Sequence, residues 1–251
     1  MMGPSHAATG AAAWLALTGP ISPVAALHMP PELQLLGALT TAGAALISDW
    51  DHPRATIAHA LPPVTEWISR GIRAVAGGHR QGTHSLLGIA AFTAVAVAAA
   101  NLQVPIGGRV YAPGQGIIAA FLVAVAAKAL RLLPGRGFVA GWLLGAAVAV
   151  LGTVLGGGLW WIPASVAIGV TVHILGDALT CVGVPLLWPA RPRSPLPLPF
   201  WTSTGRFRLS LLGTTGSWRE WAFVSIVTAY TIVRAVSLVP ATGRAIAAAV
   251  G

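Results

Sequence analysis

His173 and Asp177 stand four residues apart in the stretch VHILGDALT, a spacing that puts both side chains on one helical face, one turn apart. Zinc-binding helices use the same spacing for two ligands of one ion. An aspartate inside an apolar segment costs about 2.5–3.5 kcal/mol on insertion scales and needs a partner there. A neutral imidazole cannot cancel its charge, whereas a divalent cation can. The stretch LISDWDHP repeats the theme, because Asp49, Asp51 and His52 close an apolar run in a chain with only 6 acidic residues. Two neighbouring carboxylates repel, and each raises the other's pKa unless a cation lies between them. His79 and His84 follow in GHRQGTHSLLG, and His6 stands near the start. Imidazole and carboxylate donors suit zinc, manganese or iron. Cys181 is the single cysteine, so neither a thiolate cluster nor an intrachain disulfide is available.

The elements that must position these groups are apolar. Of 251 residues, 55% are hydrophobic and 8% charged, and the mean hydropathy is +0.76. Soluble domains carry roughly a quarter charged residues, so this composition points to an integral membrane protein. Runs near 20 apolar residues are read as spans: 7–27, 33–48, 85–104, 117–133, 138–156, 159–180 and 221–240. The first contains Pro20 and Pro23 and the second is short, so these two are read as a helical hairpin that need not cross fully. The expected fold is an all-α, polytopic membrane helical bundle of about five to seven transmembrane helices. It forms a single integral membrane domain over 1–251, with a Pro-rich loop at 189–199. No basic region followed by an apolar stretch and a small-residue cleavage site opens the sequence, so no cleaved signal peptide is expected.

Basic residues orient the bundle. Segments 49–84, 128–136 and 189–220 hold all but Arg109, Arg234 and Arg244 of the 15 Lys and Arg residues. Positively charged loops stay in the cytoplasm, so these segments are assigned to the cytoplasmic face of the membrane. The net charge of +9 is thereby explained by topology, and no nucleic-acid reading module is recognisable. On this map His6, Asp49, Asp51, His52, His79, His84, His173 and Asp177 all fall at one membrane face. The map was drawn from Arg and Lys alone, so their convergence is independent information. Each cluster also has a plainer reading: a turn at DWDHP, a His–Asp pair joining helices, a Thr83 or Ser85 helix cap with Arg80 on lipid phosphate. Arg206 and Arg208 in GRFRLS are topology signals that could also bind an anion. His28 and His59 fit no cluster. Intramembrane ionisable groups are rare and usually functional, which favours the joint metal-site reading.

The segments LISDWDHPRATIA, GHRQGTHSLL, HILGDALTCVGVPLLWP and RFRLSLLGTTGSWRE resemble, in order, signature segments of the YdjM-like family. Members are bacterial inner-membrane proteins described as LexA-regulated and as metal-dependent hydrolases. The resemblance covers 5–88 and 168–220, while 101–160 carries no such motif and reads as additional membrane helices. The ligand pattern is distantly similar to the zinc phospholipase C and P1 nuclease group, helical enzymes that cleave phosphate esters. That resemblance implies His6 as the early ligand, Asp49 or Asp51 as bridging carboxylate, His84 as the third ligand, and His173 with Asp177 as a helical pair. Two departures are visible: Ser48 stands where a proline is usual, and the glycine of HRQGTHS lies one place late. No histidine follows His173, which implies one or two ions rather than three.

The resulting expectation is a membrane-bound, metal-dependent hydrolase acting on a phosphoester at the cytoplasmic surface, with zinc as first choice and manganese or iron behind it. His6, Asp49, Asp51, His52, His84, His173 and Asp177 are the expected ligand pool. Asp51, His79 and Arg80 are the expected catalytic groups, Asp49 or Asp51 acting as base and His79 as acid or further ligand. Arg80, Arg206 and Arg208 would hold phosphate by charge-assisted hydrogen bonds. The alternatives are a divalent-cation or proton transporter and a structural membrane protein stapled by a metal or a His–Asp pair. A conduction path needs ligands at several depths, and here they share one face.

Overall fold

The computed structural model describes residues 1–107, 109–135, 138–156, 159–196 and 198–250. Arg136 and Pro197, which belong to loops used in the sequence reading, lie outside them. Among the described residues the chain is all-helical apart from one short hairpin. The helices are α1 (Gly3–Thr18), α2 (Pro31–Ala44), α3 (Val64–Ala76), α4 (Leu86–Ala100), α5 (Pro113–Ala129), α6 (Val139–Gly156), α7 (Ile162–Ala178) and α8 (Trp218–Val250). The antiparallel hairpin β1–β2 (Val104–Ile106, Arg109–Tyr111) fills the connection between α4 and α5.

The expected spans resolve into shorter helices. Among the described residues, only 218–249 is both long and apolar enough to cross a bilayer by itself. Four shorter apolar helices occupy 86–100, 113–129, 139–155 and 162–178, below the roughly 20 residues a straight crossing needs. Proline sets several of these limits. It opens α2, α5 and α7 within their first two positions, where its missing N–H has no intrahelical role. α1 ends at Thr18, just before Gly19 and Pro20, so the expected hairpin is two short helices joined by a turn.

α2 is the centre. It packs against α1, α5, α7 and α8, with α6 outside α5 and α4 along α7. Small residues allow this closeness: a Cβ on Gly43 would lie 1.9 Å from the Leu122 carbonyl oxygen of α5, and one on Gly169 of α7 would lie 2.5 Å from the Ala44 Cβ. Such contacts are how helices associate where lipid removes the hydrophobic drive between them. Buried hydroxyls bond within this frame. Thr40 donates to the Leu36 carbonyl, and Thr41 meets Ser165 across the α2–α7 contact at 2.6 Å.

Two 3-10 turns, 47–51 after α2 and 82–84 before α4, complete the frame. Ser85 caps α4 by accepting from the Gly88 N–H at 3.2 Å. The start of α1, the start of α4, the turn after α2 and the last turns of α7 converge at one end of the bundle.

Candidate metal centre

His173 lies at the middle of this convergence. Its Nδ1 is 2.7 Å from the Ala45 carbonyl oxygen, which can only accept, so Nδ1 carries the proton and Nε2 a lone pair. The same reasoning applies to His84. Thr83 Oγ1 donates its one proton to Asp51 Oδ2 at 2.7 Å, and it is 2.9 Å from His84 Nδ1, which must therefore donate. His84 Nε2 is then also a lone pair. These two Nε2 atoms face each other at 3.1 Å in a fully buried setting. Two lone pairs this close repel unless a proton or a metal cation lies between them.

The other donors surround this pair. His6 stacks on His173 with ring centroids 3.6 Å apart, and both of its buried ring nitrogens lack a hydrogen-bond partner. Asp177 Oδ1 takes the Met1 amino group and Arg80 Nη2 at 3.1 Å, and lies 3.3 Å from His6 Nε2 without hydrogen-bond geometry. Its Oδ2 has no hydrogen bond and faces His84 Nε2 at 3.6 Å and His173 Nε2 at 3.9 Å. Asp49 Oδ1 lies 3.6 Å from His84 Nε2 and 3.7 Å from His173 Nε2. Burial alone raises the Asp49 carboxyl, but the imidazoles of His173, His84 and His6 outweigh it and hold the group well below the usual carboxylate range.

Among the described residues three sets result, the donor atoms within each lying within 4.8 Å of one another: His6–Asp49–His173, Asp49–His79–His84 and His84–His173–Asp177. Asp49 belongs to two of them, the position a bridging carboxylate would take. Orphaned buried donors of imidazole and carboxylate type fit a divalent cation such as zinc.

Asp51 and His52, expected as ligands, fall outside these sets. Asp51 is buried with both oxygens engaged: Oδ1 accepts from His79 Nδ1 at 2.7 Å, and Oδ2 accepts from the Arg80 N–H at 3.1 Å and from Thr83. It orients its neighbours, as outer carboxylates do around ligating imidazoles. His52 Nδ1 accepts from the Arg54 N–H at 3.1 Å. Burial and the neighbouring His79 lower its pKa. It lines a cavity of about 300 Å³ with Met1, Asp49, Arg54, His79 and Arg80, and this cavity opens beside the donors.

The family described as YdjM inner membrane protein matches residues 1–241. The chain belongs to this family. Two relatives named Inner membrane protein YdjM, from Escherichia coli (strain K12) and Shigella flexneri, are each 31% identical over 157 residues. The match covers 61% of this chain and 49% of each relative, so the chain spans about half the length of the curated relatives it matches. No solved structure gives a significant match. Association with the bacterial inner membrane follows from the family and its named relatives.

YdjM membership accounts for the motif order, and the structure adds what the motifs do. Arg80 has a φ of 56°, a left-handed conformation that non-glycine residues take at a cost of roughly 1–3 kcal/mol. From it, the residue gives its N–H to Asp51 and its guanidinium to Asp177, linking two motifs. Arg206 donates to the Gly183 and Arg80 carbonyls, and Arg191 donates to Gln81. Burial, with Arg80 and Arg191 alongside, lowers the Arg206 pKa, yet a guanidinium stays charged at neutral pH. Arg208 is exposed and donates to the Cys181 carbonyl instead. His28 and His59 stay apart, on the Ser22 carbonyl and Glu66 respectively. Sequence reasoning missed Arg191, the relay role of Thr83, and Glu220. Buried Glu220 accepts the Met2 and Gly216 N–H groups at 2.7 and 2.8 Å, tying α8 to the start of α1. The spacing of Ser217 and Glu220 is that of a helix capping box and was the available signal.

Proposed function

We propose that the chain is a membrane-bound, metal-dependent hydrolase acting on a phosphoester at the cytoplasmic membrane surface. The observation that carries this reading is the pair of imidazole Nε2 lone pairs 3.1 Å apart, ringed by unpartnered His6 and Asp177 atoms. His6, Asp49, His84, His173 and Asp177 would hold one or two ions, zinc first. When bound, the metal supplies a water of lowered pKa and polarises the phosphoryl oxygen.

The chain's own residues supply the rest. Arg80 lines the 300 Å³ cavity from which a phosphate would enter, and Arg206 adds its charge from the Arg80 carbonyl to which it donates. Their charge-assisted hydrogen bonds position the ester and offset its negative charge. His79, fixed by Asp51 through Nδ1, is placed to hold or deliver a proton through Nε2. Asp51 acts through His79 and Thr83 and Asp49 serves as a ligand, so neither carboxylate is assigned as the base. The bundle is read as multi-pass, its short helices crossing together with α8, and the basic loops 49–84 and 189–220 face the cytoplasm.

The test is metal content by mass spectrometry on detergent-purified protein, followed by hydrolysis of p-nitrophenyl phosphate with chelation and metal restoration. The expected result is one or two equivalents of zinc in the wild type, lost in Asp49→Ala and Asp177→Ala, with hydrolysis that follows the metal. Folded protein that takes up no metal even on reconstitution would sink the reading and leave a proton shared between His84 and His173.

A further inference from the structure

In α3 polarity and burial run in opposite directions. At 100° per residue, Val64, Trp67, Ile68, Gly71, Ile72 and Val75 share one arc of VTEWISRGIRAVA, while Glu66, Arg70 and Arg73 share another. Thr65, Ser69 and Ala76 lie between them, and these three are the residues buried against the protein. Hydrogen bonds fix that orientation: Trp50 Nε1 donates to the Thr65 carbonyl, and Thr65 Oγ1 donates to the Ala58 carbonyl. The apolar arc therefore points outward, with Trp67 60% and Val75 82% exposed.

What covers that arc can be argued from its surroundings. At 13 residues α3 is about 20 Å long, too short to cross a hydrocarbon core of about 30 Å. An apolar groove of about 390 Å³ runs on one side of it, between Ile72, Val75, Leu87, Ala91 and Trp188. A second, of about 310 Å³, runs on the other, past Ile68, Val95 and Ile117. The outward arc is thus continuous with α4, which is apolar all round and buries only Gly88 and Ala96. The flanking cations match an anionic surface: Arg70 is exposed, and Arg73 also donates to the Asp51 carbonyl at 3.4 Å. A helix with an apolar arc, a cationic flank and a tryptophan at the boundary is the kind that lies in a membrane interface.

We infer that α3 lies in the plane of the bilayer surface, with Val64, Trp67, Ile68 and Val75 among acyl chains and Arg70 level with anionic headgroups. Asp51, His79 and Arg80 adjoin this helix, so the candidate metal centre is held at headgroup depth. The inference rests on membrane association and stands apart from any hydrolytic activity.

The experiment uses the full chain in a Cys181→Ser background, reconstituted into phosphatidylethanolamine and phosphatidylglycerol vesicles. Spin labels are placed singly at Val64→Cys, Trp67→Cys, Ile68→Cys and Val75→Cys, and for comparison at Glu66→Cys and Arg70→Cys. The first four are expected to collide with oxygen in preference to a water-soluble nickel chelate, and the last two the reverse. Labels at 64 and 75 are expected at equal depth. A depth difference near 16 Å, the rise over eleven helical residues, would overturn the in-plane assignment. Nickel access to the apolar arc, or protection from both reagents by a covering protein, would overturn it equally. Photoactivatable phospholipid on the unmodified chain gives a label-free reading: adducts are expected on Trp67, Ile68 and Val75, and adducts on α8 with none on α3 count against it.

Discussion

Thr83 shows how much of the candidate site depends on groups that touch no ion. Its hydroxyl receives the His84 Nδ1 proton and passes its own to Asp51, fixing one tautomer of His84. Thr83→Val is expected to weaken zinc affinity about 10–100-fold while Thr83→Ser retains it, as read by competition with a chromophoric chelator. Asp49 sets a second expectation. Its carboxyl is held below its ordinary value of 3.8, so its contribution to the folded state is present above that value and lost only as pH falls further. Imidazoles are more basic than carboxylates, so acidification acts first on them, and zinc affinity is expected to fall along an acid limb on which binding releases the imidazole protons. Asp49→Asn should lower affinity at every pH without moving that limb; a shift of the limb into the carboxylate range would refute the assignment. At this scale the sequence was most legible for the candidate donors. His173 and Asp177 were readable from helical spacing, but the division of labour between Asp49 and Asp51 was not. Two residues of identical type, two positions apart, are separated only by which way a 3-10 turn aims them.

Among the elements, packing rests on backbone approach rather than large side chains. Gly43→Ala would drive a methyl against the Leu122 carbonyl, and overpacking of this kind costs about 1–3 kcal/mol. Gly71 on α3 has nothing within 4 Å, so Gly71→Ala should be neutral or stabilising by up to about 1 kcal/mol. Chemical unfolding of the two variants in detergent checks the contrast; equal effects would mean the α2–α5 contact is looser than described. Element positions were largely visible in the hydropathy pattern, whereas lengths were not. Windows of apolar residues ran through Pro20 and into the 104–106 strand because hydropathy does not register where a backbone must turn. α3 escaped notice for the opposite reason: its apolar residues are spaced around a polar helix and never form a run.

Across the whole molecule, the donors come from four separated segments between His6 and Asp177. His6 is set by α1, whose start is tied by Glu220 to α8, although α8 itself contributes no donor. Glu220→Gln keeps the shape but weakens that tie, and is expected to reduce metal occupancy with all seven expected ligands intact; unchanged occupancy would show that α1 is held elsewhere. The all-helical class, the family and the membrane setting were legible from composition and motif order. This tie was not, because it joins residues 218 apart in sequence.

The Glu220 clamp also bears on how the protein is made. A ribosome has delivered every donor by residue 177, yet the anchor that seats His6 emerges only with residue 220. A nascent chain paused between those points would carry the donors without a settled centre. Metal capture at the candidate centre would then come late, after the start of α8 has left the ribosome.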